Sequence, residues 1–142
     1  MVKMFSTTTG ACFRTSTSEG ASSLYNADQV YGRLYNWYAV SESRNVCPTG
    51  WHVSLDDDWN VMINLYGGED LAGEFLKMSS EWACEGNGTN TSGFSGLPGG
   101  YRHGSDGFFK QVLEYGYWWS PSTTGTDSIG QSLNGCYDSG VD

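Results

Sequence analysis

The sequence has few prolines, few basic residues and no long apolar run. Its three prolines are too few for a collagen. No apolar run approaches the roughly 20 residues of a membrane-spanning helix. Seven Lys and Arg residues face sixteen Asp and Glu residues, giving a net charge of −9. This balance argues against a surface that binds nucleic acid phosphates. We therefore expect no membrane span and no nucleic acid partner.

Aromatic residues and glycine are abundant. The chain holds six Trp, nine Tyr, six Phe and twenty Gly among 142 residues. Disordered chains are poor in aromatic residues, so this composition indicates a folded protein. The length suits one domain, residues 1–142, that buries most of its apolar surface in one core.

The four cysteines are Cys12, Cys47, Cys84 and Cys136. They form no CxxC pair, which argues against a zinc site. An even number permits two disulfides in three connectivities, and buried free thiols are the alternative. The low Lys content and the many Ser, Thr, Gly and Asn residues are typical of extracellular proteins. The opening MVKMFSTTTG lacks the apolar segment of a signal peptide, so we expect any export signal to lie outside this chain.

Three helices are predicted. Apolar spacing indicates a short amphipathic helix over 30–40. Ser54 is a suitable N-cap for a second helix, whose first turn holds three Asp residues and whose end is set by Gly67 and Gly68. Its predicted buried stripe consists of Leu55, Trp59, Met62, Ile63 and Tyr66. A third helix is predicted over 70–78, with Leu71, Phe75, Leu76 and Met78 as its apolar residues.

Short strands follow the helices. Candidates separated by turns are 11–14, 93–97, 100–103, 107–113 and 115–120, with a weak one near 131–133. Gly99 and Gly100 form a loop that can bring the backbone close to a neighbour. Helices first and strands later predict an α+β fold, with two or three short helices packed on an antiparallel sheet.

Some of the aromatic residues are candidates for a binding surface, because aromatic rings offer flat apolar faces with polar edges to a sugar. Most are expected in the core. In a strand, Trp118 and Trp119 face opposite sides, so one of them is core if one face is buried. The candidate binding residues are Trp82, Tyr101, Trp118 and Trp119.

Catalytic and metal-binding patterns are weak, and we predict neither catalytic residues nor a resident cofactor. His52 and His103 suit structural roles better than catalytic ones. The three consecutive residues at 56–58 point about 100° apart on a helix and do not converge on one ion. The loop 85–90 has oxygen ligands and glycines, as calcium loops do, but lacks the Asp spacing of an EF-hand. Its two N-x-S/T sequons make Asn87 and Asn90 glycosylation candidates.

Several long motifs together identify a family resemblance. They are YGRLYNWYAV (31–40), CPTGWHVSLDDDWNVMINLYGG (47–68), LAGEFLKMSSEW (71–82), NTSGFSGLPGGYR (90–102) and GYWWS (116–120). In this order they resemble the Fibrobacter succinogenes major paralogous (FISUMP) domain over residues 31–120. The resemblance implies an exported bacterial cell-surface module. It also implies a C-type lectin-like fold, similar to that of the formylglycine-generating enzymes, with helices flanking a twisted antiparallel sheet and with long irregular loops.

Both termini depart from the family pattern. The usual opening strands and the closing strand resembling G-F-S-V-R-C are not recognisable, and no match to the cysteine pair of the formylglycine enzymes is visible. In the family, the closing-strand cysteine looks like the partner of the cysteine in CPxGWH. We therefore expect Cys47 to pair with Cys12 or Cys136 instead. A missing strand leaves an open sheet edge, which the weak terminal segments or a strand from another copy can close.

These features predict a non-catalytic extracellular module with a structural or adhesive role, able to assemble with its own copies into a fibre or array by strand donation. The alternative is a lectin-like module that binds carbohydrate or protein through exposed aromatic residues.

Overall fold

The computed structural model describes residues 22–24, 30–41, 47, 51–124, 127–136 and 141. These contain three helices, α1 (Trp37–Ser41), α2 (Asp56–Leu65) and α3 (Glu69–Leu76). They also contain six strands: β1 (Ser22–Leu24), β2 (Arg33–Tyr35), β3 (Tyr101–Arg102), β4 (Phe109–Lys110), β5 (Tyr115–Thr124) and β6 (Asp127–Asn134). Within the described ranges, no helix has the length and apolarity needed to cross a membrane.

The strands form three antiparallel pairs, β1–β2, β3–β4 and β5–β6. The longest pair runs from Tyr115 opposite Asn134 to Thr124 opposite Asp127, with a register shift between Trp119 and Thr123. Helices and small antiparallel sheets confirm the predicted α+β class. The sheet is divided into separate two-stranded pairs, whereas the sequence predicted one sheet.

The core is built around Trp118, which is fully buried. Its ring lies 6.2 Å from that of Trp59 on α2 and 5.5 Å from that of Phe94. Such tilted and edge-on arrangements are favoured between aromatic rings. The same cluster includes Ile63, Ala72, Leu76, Trp82, Leu133 and Val141. This core therefore fixes both longer helices against β5 and β6.

The helix predicted over 30–40 is wrong in its first half. Residues Arg33–Tyr35 form β2, which pairs with β1, and only Trp37–Ser41 are helical. Gly32 has φ +69°, a left-handed conformation that a helix does not continue through. The side chain of Asn36 accepts the backbone N–H of Ala39 at 3.0 Å and so caps α1. Residues 33–35 therefore adopt the strand conformation that pairing with β1 requires, although the spacing of their apolar residues is that of a helix.

The second helix forms as predicted, but its cap is different. The N-cap is Leu55 rather than Ser54. Because a leucine side chain cannot accept a hydrogen bond, Asp58 reaches back, and its Oδ2 accepts the Leu55 N–H at 2.9 Å. Trp59 and Ile63 are buried as predicted, whereas Leu55 is 47% exposed. Gly67 and Gly68 follow the helix with φ near +95° and +93°, as the predicted stop requires.

The third helix begins one residue earlier and ends two residues earlier than predicted. It spans Glu69–Leu76, and its buried residues are Ala72, Gly73 and Leu76. Leu71 is 51% exposed. Phe75 is half-buried and stacks on Tyr66 at 5.5 Å between ring centroids. Small side chains let this helix approach its neighbours closely, a preference that a search for large apolar residues misses.

The strand predictions have mixed outcomes. The segment 93–97 is not a strand, because Gly96 pairs with Lys77 beside the end of α3 instead. The candidates at 100–103 and 107–113 shorten to β3 and β4, whereas the weak one near 131–133 extends to β6. Gly100 has φ +59°, and a β-carbon there would collide with the carbonyl oxygen of Lys110, so the predicted close approach is confirmed. The candidate at 11–14 lies outside the described residues.

Candidate functional site

Strand β5 presents aromatic side chains on both of its faces. Gly116, Trp118 and Ser120 are buried, whereas the alternate residues Tyr115 and Tyr117 are only half-buried. This alternation is the period of two that a half-buried strand requires. The outward face of β5 therefore carries tyrosine rings at the surface of the protein.

These tyrosines join residues of β3 and the loop after it to make a continuous aromatic row, which we define as Tyr101, His103, Tyr115 and Tyr117. The rings of Tyr115 and Tyr117 lie nearly parallel, with centroids 5.6 Å apart. Tyr101 meets Tyr117 edge-on at 5.7 Å, and His103 lies 6.3 Å beyond Tyr101. All four rings are half-buried, so each has both packing contacts and solvent exposure.

Amides hold two of the phenol groups in place. Tyr117 donates its hydroxyl hydrogen to Oε1 of Gln111 at 2.5 Å. Tyr115 accepts a hydrogen bond from Nδ2 of the buried Asn134 at 2.9 Å. Partial burial, together with the neighbouring phenols of Tyr115 and Tyr101, raises the pKa of Tyr117 to about 12. Tyr117 therefore keeps its proton, and its hydrogen bond to Gln111, to a higher pH than an ordinary phenol does.

The loop that carries Gln111 is strained. Gln111 has φ +56° and Leu113 has φ +72°, values that residues with a β-carbon seldom adopt. Leu113 donates its N–H to the carbonyl of Pro98, and Tyr115 donates its N–H to that of Gln111. Strained residues of this kind cluster at functional sites, where the surrounding structure holds them. In this conformation the amide of Gln111 lies against the hydroxyl of Tyr117.

For two of the four predicted binding residues, the prediction is wrong. Trp82 is 5% exposed and Trp118 is 0% exposed, so neither can present a face to a ligand. Both serve the core, and the indole N–H of Trp82 donates to the carbonyl of Gly96 at 3.0 Å. Large rings fill the space between α2 and the β5–β6 pair more effectively than smaller residues.

The other two predicted residues are half-buried. Trp119 donates its indole N–H to the carbonyl of Tyr35 at 2.9 Å and packs against both core clusters, so its role is largely structural. Tyr101 belongs to the aromatic row. Tyr115 and Tyr117 are not among the four predicted binding residues. Placing Trp118 in the core would have found them, because a strand then turns its odd-numbered residues outward.

His103 has polar neighbours, but they do not form a catalytic relay. Its Nδ1 is 3.1 Å from the hydroxyl of Ser105 and 3.2 Å from Oδ1 of Asp106. A relay needs the nucleophile and the carboxylate on opposite ring nitrogens, whereas here both use the same one. Lys110 and the Phe108 N–H also bind Asp106, and together they lower the pKa of its carboxyl to about 2. This cluster fixes the β3–β4 turn.

His52 makes one polar side-chain contact among the described residues, from its Nε2 to Oδ2 of Asp58 at 3.0 Å. Both side chains are about half exposed. Partial burial alone would raise the pKa of Asp58, but the hydrogen bonds from the Leu55 N–H and from His52 outweigh it and hold that pKa below its usual value. The carboxylate therefore stays ionised and anchors both the histidine and the start of α2.

In the loop after Trp82, side-chain amide oxygens accept hydrogen bonds from backbone N–H groups. Oδ1 of Asn87 accepts the Trp82 N–H at 3.0 Å, and Oδ1 of Asn90 accepts the Ser95 N–H at 2.8 Å. Each of these oxygens thus has one backbone partner within the loop, and a calcium site here stays a prediction. Nδ2 of Asn90 also donates to Ser95, whereas Asn87 is exposed. The geometry favours Asn87 over Asn90 as a glycosylation acceptor.

The described cysteines are disulfide-bonded. Cys84 pairs with Cys136, with 4.9 Å between their Cα atoms, and this pairing excludes Cys136 as the partner of Cys47. Cys47 is itself disulfide-bonded. Cys12 lies outside the described residues. The Cys84–Cys136 bond ties the loop after Trp82 to the end of β6.

A family model matches most of the chain. Residues 5–136 match the family model described as the Fibrobacter succinogenes major domain. This range includes the 31–120 segment that carries the motifs. No curated protein and no solved structure matches the chain.

Proposed function

Because this chain belongs to the Fibrobacter succinogenes major domain family, we propose that it is a non-catalytic module of the bacterial cell surface that binds carbohydrate through the aromatic row. The C-type lectin-like arrangement expected of the family is part of this proposal. An adhesive role follows directly from carbohydrate binding, since a surface module that holds a glycan attaches its cell to whatever carries that glycan.

The observation that carries the proposal is the combination of tyrosine rings and amides on one surface. A sugar ring has apolar C–H faces and a rim of hydroxyl groups. Tyr115, Tyr117 and Tyr101 supply aromatic faces and edges, and Gln111 supplies an amide close to them. Tyr101 makes no hydrogen bond through its hydroxyl among the described residues, so this group is available to a ligand.

The geometry around both histidines supports a non-catalytic role. His103 uses one ring nitrogen for both of its side-chain partners, and among the described residues the side-chain partner of His52 is a carboxylate and not a hydroxyl group. Neither arrangement provides a hydroxyl nucleophile activated by a histidine that is oriented through its other nitrogen.

The disulfides support export. Disulfides persist in oxidising compartments and are rare in the cytosol. Cys84, Cys136 and Cys47 are all oxidised in this fold. An acidic surface with a net charge of −9 also suits a protein that stays soluble outside the cell.

Assembly by strand donation stays a prediction. Val141 forms an antiparallel bridge with Leu133 of β6, and its N–H donates to the carbonyl of Glu69 at 2.9 Å. This chain therefore occupies one position on the outer side of β6 itself. A strand donated by another copy would have to displace Val141 at this position. Light scattering over a range of concentrations should distinguish a monomer whose β6 is covered by Val141 from an assembly that forms by strand donation.

Binding of the wild-type protein to a panel of neutral and acidic glycans tests the proposal. We expect binding to at least one glycan class, with affinity reduced about tenfold by Tyr101→Ala, since stacking contributes about 0.5–1.5 kcal/mol and the lost hydroxyl contact about as much again. Tyr38→Ala is the matched control, because that ring is 78% exposed and lies outside the row. Absence of binding to the whole panel, or equal loss in both variants, would overturn the proposal.

A further inference from the structure

The Cys84–Cys136 disulfide is connected to the aromatic row through one buried side chain. Asn134, two residues before Cys136, is buried. Its Nδ2 donates to the hydroxyl of Tyr115 at 2.9 Å, and its Oδ1 accepts the N–H of Cys136 at 2.8 Å. Turning this amide over would place a donor against the Cys136 N–H, so the contact fixes one orientation of the amide. Asn134 thus links the backbone of a disulfide cysteine to a ring of the row.

The residues that precede the two cysteines hold the loop before β5. Ala83 donates its N–H to the carbonyl of Leu113 at 2.8 Å, and Gly135 donates its N–H to the carbonyl of Glu114 at 2.8 Å. The disulfide joins the two segments that supply these donors. The same strained loop carries Gln111, whose amide accepts the hydroxyl of the next tyrosine in the row. The disulfide therefore supports the row by a second route.

The two disulfide-linked segments pack backbone against backbone. A β-carbon on Gly86 would collide with the carbonyl oxygen of Gly135. A β-carbon on Gly135 would in turn lie 3.1 Å from the ring of Trp82 and 3.3 Å from the carbonyl oxygen of Glu114. Interiors packed this closely transmit strain between neighbouring groups. A displacement of either segment is therefore passed to the loop before β5.

The disulfide is accessible and lies in a strained turn. Cys84 is exposed and Cys136 is half-buried, and both line a cleft of about 430 Å³. Cys84 has φ +57° and Glu85 has φ +60°, two consecutive left-handed values that residues with a β-carbon seldom adopt. Conformations of this kind persist only where the surrounding structure enforces them. Opening the disulfide removes one such constraint, so we expect this turn to relax.

We propose that the Cys84–Cys136 disulfide positions the aromatic row, and that the row has its binding geometry only while this disulfide is closed. Asn134 is the positioning residue that connects the disulfide to Tyr115, and the loop before β5 connects it to Tyr117. Reduction of the disulfide therefore displaces both rings. The effect on carbohydrate affinity rests on the proposed function, whereas the effect on the rings does not depend on it.

A dithiol such as dithiothreitol opens the bond in two steps. A thiolate of the reagent attacks the sulfur of the exposed Cys84, and Cys136 leaves as a thiolate that takes up a proton. The second thiolate of the reagent then attacks the reagent's own sulfur in the mixed disulfide and displaces Cys84, which is protonated in turn. The protein disulfide gains two electrons and two protons, and the dithiol is oxidised to a cyclic disulfide.

A protein that keeps only these two cysteines tests the proposal. In the double variant Cys12→Ser, Cys47→Ser, dithiothreitol acts on the Cys84–Cys136 pair alone. The reciprocal variant Cys84→Ser, Cys136→Ser is the matched control, because it keeps the other two cysteines. Its tyrosine rings should already differ from those of the wild type, and dithiothreitol should change them no further. The ¹³C-labelled rings of each protein are compared before and after reduction, without a ligand.

In the first variant, we expect the ring resonances of Tyr115 and Tyr117 to shift on reduction and to return on reoxidation. The resonances of Trp59 and Ile63, which report the core, should stay in place. Unchanged tyrosine rings would overturn the proposal. Loss of the core resonances together with those of the rings would also overturn it, since the disulfide would then support the whole fold and not the row.

Glycan affinity is the second measurement. A glycan that binds the oxidised protein should bind the reduced protein about twofold to tenfold more weakly, the cost of ordering one side chain on binding. Equal affinity of the two forms, with displaced rings, would contradict the link to binding. If no glycan binds even the oxidised protein, the proposed function fails, and the ring resonances alone decide whether the disulfide positions the row.

Discussion

The hydroxyl of Tyr117 donates a hydrogen bond to the amide oxygen of Gln111 at 2.5 Å, and this contact joins the β5 strand to the strained loop before it. Gln111 has φ +56°, so the backbone accepts an unfavourable conformation at the residue that meets the phenol. The contact defines the shape of the aromatic row, because it fixes the ring that stands between Tyr115 and Tyr101.

The raised pKa of Tyr117 predicts how the stability of the fold changes at alkaline pH. Its pKa is raised from 10.0 to about 12 in the folded protein, so the unfolded chain loses this proton at a lower pH. Stability from this group is therefore complete below about pH 10 and is lost as the pH rises to about 12. Urea unfolding of Tyr117→Phe should show a smaller loss over this interval than the wild type. Tyr38→Phe, which removes an exposed phenol, should behave as the wild type; if it matches Tyr117→Phe instead, the assignment is wrong.

Removing Trp118 should be among the most damaging changes. The side chain is fully buried between Trp59, Phe94 and Leu133, so Trp118→Ala leaves a large cavity. We expect a loss of about 3–5 kcal/mol in the free energy of unfolding, measured by urea denaturation. Phe108→Ala is the control, since that ring is 69% exposed and should change stability by less than about 0.5 kcal/mol. Comparable losses in the two variants would contradict the described core.

The Cys84–Cys136 disulfide should stabilise the fold by closing a long loop. The two residues are 52 positions apart in the sequence, and cross-linking them restricts the unfolded chain. The double variant Cys84→Ser, Cys136→Ser should lose roughly 2–4 kcal/mol of unfolding free energy under non-reducing conditions. Mass mapping of the intact protein checks the pairing independently, and a peptide linking Cys47 to Cys136 would refute it.

Asp58 should support the start of α2. Asp58→Ala removes the acceptor of the Leu55 N–H and the partner of His52, so we expect a loss of about 1 kcal/mol at neutral pH. The pKa of Asp58 is lowered in the folded protein, so its contribution is present above the ordinary value of 3.8 and is lost as the pH falls below it. Unfolding free energies that converge for wild type and variant in acid would support this role, and a constant difference would contradict it.

Local patterns predicted some elements well. Trp59 and Ile63 lie on one face of α2, and Gly67 and Gly68 end it, because a helix period and a left-handed stop depend on neighbours in sequence. The prediction of a helix was wrong for residues 33–35, because they form a strand that depends on pairing with residues 22–24 and not on their neighbours in sequence. Sequence spacing carries no record of that partner.

The candidate site was harder to predict than the fold class. Trp82 and Trp118 are as aromatic as Tyr101, and composition does not separate a ring in the core from one at the surface. The sequence does not predict the conformation of the loop around Gln111. A left-handed conformation at a glutamine is imposed by contacts within the fold, such as the hydrogen bond from the Leu113 N–H to the carbonyl of Pro98. Only the three-dimensional arrangement brought Tyr101, Tyr115 and Tyr117 together.

Carbohydrate binding at the aromatic row is the central claim, and chemical-shift mapping tests it most directly. A glycan selected from the panel is titrated into ¹⁵N- and ¹³C-labelled protein, and the aromatic resonances are followed. We predict saturable shifts of Tyr101, Tyr115 and Tyr117 and of the Gln111 side-chain amide. Saturable shifts confined to other residues, with these four unchanged, would contradict the account.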